Sequence, residues 1–254
     1  MNEECLTSLI QQLVLLEKFF PGLEYGVDKE DDCLFVTGVL NFSASYNEIE
    51  IRDSYLIRVN IPWNFNVYHH PIAYEIGGRI PSSFHHYKGG NLCLGLYTAI
   101  FDKLLDDCSL LAFFRNILIP YLYAFSYYEK YGRMPFGNFG HDKDAMILYF
   151  QDKLNGISSE RLLDFLVYMY LPSVYGSHRE CLCGSKLPLR YCHLQLVVDL
   201  GKRYPRALFK RDIVSCVHQL SEQDIRCNSK ISQKNYRLFV RTITRDYKDD
   251  LHIK

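Results

Sequence analysis

Two stretches carry residues whose types and spacing could do chemistry. The first is Ser82-Ser83-Phe84-His85-His86-Tyr87-Lys88-Gly89-Gly90-Asn91-Leu92-Cys93-Leu94-Gly95-Leu96, a polar, glycine-broken loop ending on a cysteine between leucines. A thiol attacks only as thiolate, and its ordinary pKa of about 8.5 must be lowered by cations, amide dipoles or a nearby base. Gly89 and Gly90 accept positive φ, so the chain can fold His85 and His86 back toward Cys93. Leu92 and Leu94 are expected to be buried on either side and to pin the sulfur. Two readings stay open for this loop. Cys93 is either a nucleophile or a small core residue, and His85 or His86 either serves it as donor or base near neutral pH or only holds the loop.

The second stretch is Cys181-Leu182-Cys183-Gly184-Ser185-Lys186-Leu187-Pro188-Leu189-Arg190-Tyr191-Cys192-His193. Four soft ligands fall within thirteen positions, as a Cys-x-Cys pair, an eight-residue gap and a Cys-His pair. Zinc takes such thiolate sulfurs at about 2.3 Å and imidazole nitrogens at about 2.0–2.1 Å, in a tetrahedron. The Gly-Ser turn can aim backbone N–H groups at the sulfurs, and Lys186 and Arg190 add positive potential. With all four positions filled by protein there is no place for a catalytic water, so the expected zinc is structural; the alternative is a cluster of redox-sensitive thiols. His178 is a spare ligand at most.

The elements that must position these groups follow from pattern. Apolar spacing over 5–20, stopped by Pro21-Gly22, predicts a helix. Cys33 to Leu40, Glu48 to Ile51, Tyr55 to Pro62 and Ile72 to Ile76 read as strands of an antiparallel meander. A polar interval with Asp102, Lys103, Asp106 and Asp107 follows the Cys93 loop. Leu110 to Tyr131 reads as a buried helix that Pro120 kinks or divides, with Tyr121, Tyr123, Tyr127 and Tyr128 packing in the core and at its rim. The glycine- and proline-rich run from Tyr131 to Asp142 is a loop whose His141 is either a further site candidate or a helix cap. Helices are expected at 144–154, from an N-cap near Ser158–Ser159 to Leu171, at 194–204 and at 213–220, with a mixed-charge tail at 234–254. Cys33, Cys108, Cys216, Cys227 and His218 are read as packing residues.

The order of helix, strand, proline-punctuated segment, strand, histidine-bearing loop and G-x-L-C-L resembles the ubiquitin-conjugating enzymes, in particular their bacterial relatives, over residues 1–155 and most specifically from Phe84 to Leu94. The resemblance implies an α+β fold with an N-terminal helix, an antiparallel β-meander and C-terminal helices. It also implies that Cys93 carries a protein's C-terminus as a thioester and passes it to an amine, with His85 in support. The donor would be a ubiquitin-like protein or a cGAS-like nucleotidyltransferase, as in bacterial antiphage-defence (CBASS) operons. The eukaryotic His-Pro-Asn triplet, whose asparagine supports the oxyanion, is replaced here by His-His-Tyr; His85, His86 or Asn91 would have to stand in. The second stretch resembles the SEC-C zinc motif, Cys-x-Cys-Gly-Ser followed by basic residues and Cys-Cys or Cys-His, which implies that Cys181, Cys183, Cys192 and His193 hold zinc within residues 156–254, a small helical module.

Composition sets the outer bounds. The 254 residues allow one large or two modest domains, with 48% hydrophobic residues, 20 Tyr and 16 Phe to fill them. Lys plus Arg and Asp plus Glu both number 29, so no global field draws the chain to nucleic acid or membrane. Lys186, Arg190, Lys202, Arg203, Arg206, Lys210 and Arg211 still make a nucleic-acid surface thinkable. No signal-like N-terminus is seen and no apolar run of membrane length is expected. Nine cysteines in such a chain fit a reducing cytoplasm. No Gly-x-Gly-x-x-Gly nucleotide loop is present, so a separate activating enzyme, or direct action on the nucleotidyltransferase, is implied. A catalytically inactive scaffold of the same fold, binding a partner protein, is the competing expectation.

Overall fold

A computed structural model describes residues 3–136, 143–155, 157–205, 209–213 and 230–251. The chain is α+β and divides into two compact units, residues 1–95 with 99–139, and residues 96–98 with 140–254. The sequence reading ended the first domain at 155; helix α5 (Lys143–Lys153) lies in the second unit.

The first unit opens with α1 (Glu3–Phe19) and continues as β1 (Leu23–Asp28), β2 (Cys33–Tyr46), β3 (Ile49–Ile61) and β4 (Ile72–Glu75). The strands form one antiparallel sheet in the order β1-β2-β3-β4. Strand β3 merges the two strands expected at 48–51 and 55–62, because its partner β2 is long enough to pair it from Ile49 to Ile61. Leu34, Val36, Leu40 and Phe42 of β2 and Ile51, Tyr55, Ile57, Val59 and Ile61 of β3 are buried. That is the two-residue period of a sheet with one face on a core.

Against that face lies the apolar segment Leu110–Tyr131, a continuous helical run of α3 (Leu110–Phe113), a π turn (Phe114–Leu118) and α4 (Ile119–Tyr131). Contrary to the sequence reading, it is long and apolar enough to cross a bilayer, but 78% of its most apolar window is buried inside the protein, as in a core helix. Pro120 stands in the first turn of α4, directly after the π turn, where the segment changes from one helical form to another. Proline has no N–H to give the carbonyl four residues back; the π turn widens the preceding ladder, and Lys103 donates from its ammonium to the Asn116 carbonyl at 3.0 Å. Lys103 belongs to α2 (Tyr97–Leu105), a helix where a polar interval was expected.

A polar network joins α4 to the sheet. The Ser126 hydroxyl on α4 donates to Asp53 at 2.7 Å and lies 2.6 Å from the Tyr55 hydroxyl. Arg79 meets both Asp53 oxygens, at 2.7 and 2.9 Å, reaches Glu129 at 2.6 Å and covers the Tyr55 ring. Glu75, at the end of β4, accepts the backbone N–H groups of Gly77, Arg79 and Ile80, which fixes the turn from which Arg79 extends.

In the second unit, α6 (Ser159–Tyr170), α7 (Leu194–Arg203) and α8 (Gln233–Leu251) accompany α5. Ser158 takes the N-cap position of α6 without a side-chain cap bond. The fully buried Asp212 carboxylate accepts from the Tyr97 N–H at 2.7 Å, and from the Thr98 N–H and hydroxyl at 2.8 and 2.6 Å. Most of the helix expected at 213–220 lies outside the described residues, as do Cys216, His218 and Cys227.

Burial raises the Asp53 carboxyl, but hydrogen bonds from Arg79 and Ser126 outweigh it and leave the group below its ordinary value. A carboxylate depressed in the folded state contributes stability above the unfolded pKa of about 3.9 and loses it as pH falls through the lower folded value. Asp53→Ala is therefore expected to cost about 2 kcal/mol at pH 7, and Asp53→Asn to flatten the wild-type loss of stability below about pH 4. Denaturant unfolding across pH checks both.

Candidate functional site

The Cys93 loop is built against β4 and α4. Leu92 donates its N–H to the Ala73 carbonyl at 2.8 Å, and His86 bridges to Leu92 in antiparallel fashion. Tyr87 and Asn91 close the turn, with the Tyr87 N–H on the Asn91 carbonyl and the Gly90 N–H on the Tyr87 carbonyl, each at 2.9 Å. The reversal takes positive φ at Gly90 (82°) and at His85 (43°), not at Gly89. A left-handed histidine is uncommon and holds only where its surroundings fix it. Here they do: the Cys93 N–H donates to the His85 carbonyl at 2.7 Å, and the Phe84 ring meets the His85 ring edge-on at 5.1 Å.

The structure thus brings Cys93 and His85 together through the backbone, with Leu92 and Leu94 buried on either side of the cysteine. It differs in one respect from the surface nucleophile expected. Cys93 is only 5% exposed, because the leucines that pin it also draw it under the loop. His86 directs its Nδ1 to the Phe84 carbonyl at 2.8 Å, a loop-holding contact. Asn91 contributes its carbonyl to the turn.

Tyr121, on α4, had no sequence signal beyond an apolar helix. Its hydroxyl donates to the Phe84 carbonyl at 3.1 Å and the His85 carbonyl at 3.3 Å, and the residue is fully buried. Burial raises its phenol well above the usual range.

The second stretch folds into a tight cluster. The ligand atoms of Cys181, Cys183, Cys192 and His193 all lie within 4.8 Å of one another, a group that could hold a metal ion. Cys183 Sγ and Cys192 Sγ are 3.7 Å apart, and His193 Nδ1 lies 3.3 Å from Cys181 Sγ and 3.1 Å from Cys192 Sγ. Atoms held 2.0–2.3 Å from one centre at tetrahedral corners stand about 3.3–3.8 Å apart, so the donor set is close to that size. His178 is not in the group.

The chain reaches this geometry by local means. The Cys181 N–H bonds the Leu187 carbonyl at 2.7 Å, and the Gly184 N–H the Cys181 carbonyl at 3.1 Å. Gly184 sits at φ 92°, a conformation that side chains resist. The turn then presents the Ser185 N–H to Cys183 Sγ and sets the Ser185 hydroxyl against Cys192 Sγ, both at 3.4 Å, as the Gly-Ser pair implied. Phe165 of α6 stacks edge-on to His193 at 5.3 Å.

Burial pushes the Cys181 thiol up to about 12; it raises Cys183 too, but hydrogen bonds from Ser185 prevail and lower that thiol. Burial lowers His193, favouring the neutral imidazole that a metal requires. A buried thiol, an imidazole biased toward its neutral form and a sulfur facing the Ser185 N–H make a donor set that could hold a metal ion.

Among the other expected features, His141 and Arg206 lie outside the described residues. Lys210 is buried, so the seven basic residues do not make one exposed surface. Cys33, Cys93, Cys108, Cys181, Cys183 and Cys192 are free of disulfides. No protein-family model matches the chain, and no curated protein or solved structure does so either.

Purified protein is expected to carry about one divalent ion per chain. Cys183→Ser or Cys192→Ser will lower that content to near zero, read by elemental analysis after gel filtration.

Proposed function

We propose that the first unit is a cysteine-dependent conjugating module of the ubiquitin-conjugating type, and that the cluster in the second unit is a structural zinc site. One observation carries the enzymatic reading. Cys93 hangs by its N–H from the carbonyl of His85, at 2.7 Å, on a glycine-turned loop at the end of an antiparallel meander. An α+β chain with an opening helix and an antiparallel sheet ahead of that loop supports this reading.

In this reading the Cys93 thiolate attacks the activated C-terminal carbonyl of a donor protein. The S–C bond forms as the activating group leaves with its electron pair. A target amine then attacks, the C–N bond forms, and the sulfur departs as thiolate, with the amine's proton passing to a base. The donor is a ubiquitin-like protein or a cGAS-like nucleotidyltransferase in a bacterial antiphage-defence setting, and a separate enzyme activates it. His85, tied to Cys93 through its backbone carbonyl, is the candidate donor or base in place of the missing asparagine. The setting is cytoplasmic, where thiols stay reduced.

The burial of Cys93 favours one second reading, a scaffold of the same architecture that binds a partner protein without acyl transfer. The readings separate on one comparison. Cys93→Ser is expected to trap a stable oxyester with the donor in host lysate, under conditions where Cys93→Ala forms none. If neither variant yields an adduct and partner binding survives both changes, the scaffold reading replaces the enzyme.

For the metal, four protein ligands of mixed sulfur and nitrogen suit zinc and leave no open position. Zinc is expected in the elemental analysis. A strong chelator will lower the helical content of the second unit, with zinc alone restoring it; recovery with calcium or magnesium would contradict the assignment.

A further inference from the structure

We propose that the Tyr121 hydroxyl is a latch that keeps Cys93 shielded, acting through the carbonyl of His85. The inference concerns regulation of the Cys93 site, and rests on the conjugating reading for its purpose.

The His85 carbonyl is the junction. It receives the Cys93 N–H from one side at 2.7 Å and the Tyr121 hydroxyl from the other at 3.3 Å, while the same hydroxyl also serves the Phe84 carbonyl at 3.1 Å. Tyr121 belongs to the buried helix α4, so its hydroxyl is a fixed point and the loop is the movable partner. His85 is held in the left-handed region, a conformation of higher energy for a residue with a Cβ. Such a residue relaxes when its clamp is withdrawn. Gly90 and Gly95, at φ 82° and 127°, flank Cys93 and provide hinges.

At 5% exposure the sulfur cannot meet a protein's C-terminus in the closed loop. The reaction therefore requires an opening, and among the described bonds it would break are the one Tyr121 hydroxyl proton shared between two carbonyls, the Cys93 N–H on His85 and the Leu92 N–H on Ala73. Residues 88–90 at the loop tip are exposed, where an incoming protein can bear on them. A donor that engages the tip would draw the His85 carbonyl off Tyr121 and uncover the thiol. Local openings of this kind involve segments with few buried contacts and leave the core intact.

The test uses the full-length protein and iodoacetamide, with labelling of the Cys93 peptide followed by mass spectrometry. Tyr121→Phe removes only the hydroxyl. Tyr123→Phe is the control, since on the same helix its hydroxyl donates to the Ile49 carbonyl at 2.9 Å and not to the loop. With each protein compared equally far below its melting temperature, Cys93 in Tyr121→Phe is expected to label about tenfold faster than wild type, the factor that corresponds to about 1.4 kcal/mol. Tyr123→Phe should label like wild type.

Equal rates for Tyr121→Phe and wild type, or an equal rise in both variants, would overturn the latch. Hydrogen exchange on the wild type stands in if Tyr121→Phe does not fold: the Cys93 amide should exchange well before the Val59 amide of the central strand, and exchange of both together would refute the proposal. Neither readout needs an acyl donor. A latch without any Cys93 adduct leaves this inference standing and removes the enzyme; an adduct without the labelling difference does the reverse.

Discussion

The first unit depends on hydroxyl groups carried by the buried, largely apolar face of one helix. A buried polar atom left without a partner costs about 1–3 kcal/mol, so each hydroxyl on the core helix restricts where that helix can sit. Tyr123 reaches the Ile49 carbonyl at the start of β3, Ser126 reaches Asp53 further along the same strand, and Tyr121 reaches the Phe84 and His85 carbonyls beyond β4. Three consecutive parts of the sheet and its following loop are thereby keyed to one helix. Apolar packing alone would tolerate small slides of a helix over a sheet, whereas hydrogen bonds lose strength steeply with distance and angle.

This explains how a loop rich in glycine and histidine holds a defined shape. The loop has little apolar area of its own apart from Phe84, Leu92 and Leu94, and these anchor its two ends. Between the anchors, the left-handed His85 directs a carbonyl toward both Cys93 and Tyr121. The cysteine is consequently a feature of the core boundary, with the chemistry of a thiol and the accessibility of a packing residue. Its reactivity is then a property of loop opening as much as of its neighbours.

The second unit relies on a different constraint. Between Cys181 and Tyr191 there are few large apolar side chains, yet Cys181, Leu182 and Leu189 are almost completely buried. The chain there is held by tight turns and by four converging donor atoms. A bound ion would do what a larger hydrophobic core does elsewhere, because without a cation the buried Cys181 sulfur is costly to ionise.

Much of this was legible in the residues. Apolar spacing located α1 and the buried Leu110–Tyr131 helix, β-branched content located the cores of β2 to β4, and ligand spacing marked the four residues of the cluster, since thirteen positions leave a short chain few ways to keep them apart. Strand β1 was missed because Leu-Glu-Tyr-Gly-Val-Asp has little pattern of its own and becomes a strand by pairing with β2. Helix α2 was missed because its charged residues mask the buried Ile100, Phe101 and Leu104. The sequence by itself determined which groups can react or ligate, because that chemistry belongs to residue types and short spacings. Only the tertiary structure decided that Cys93 is covered, that Tyr121 guards it from 28 positions away, and that Lys103 answers the carbonyl Pro120 leaves open. Burial and long-range hydrogen bonds depend on where distant parts of the chain meet, and no local pattern encodes that.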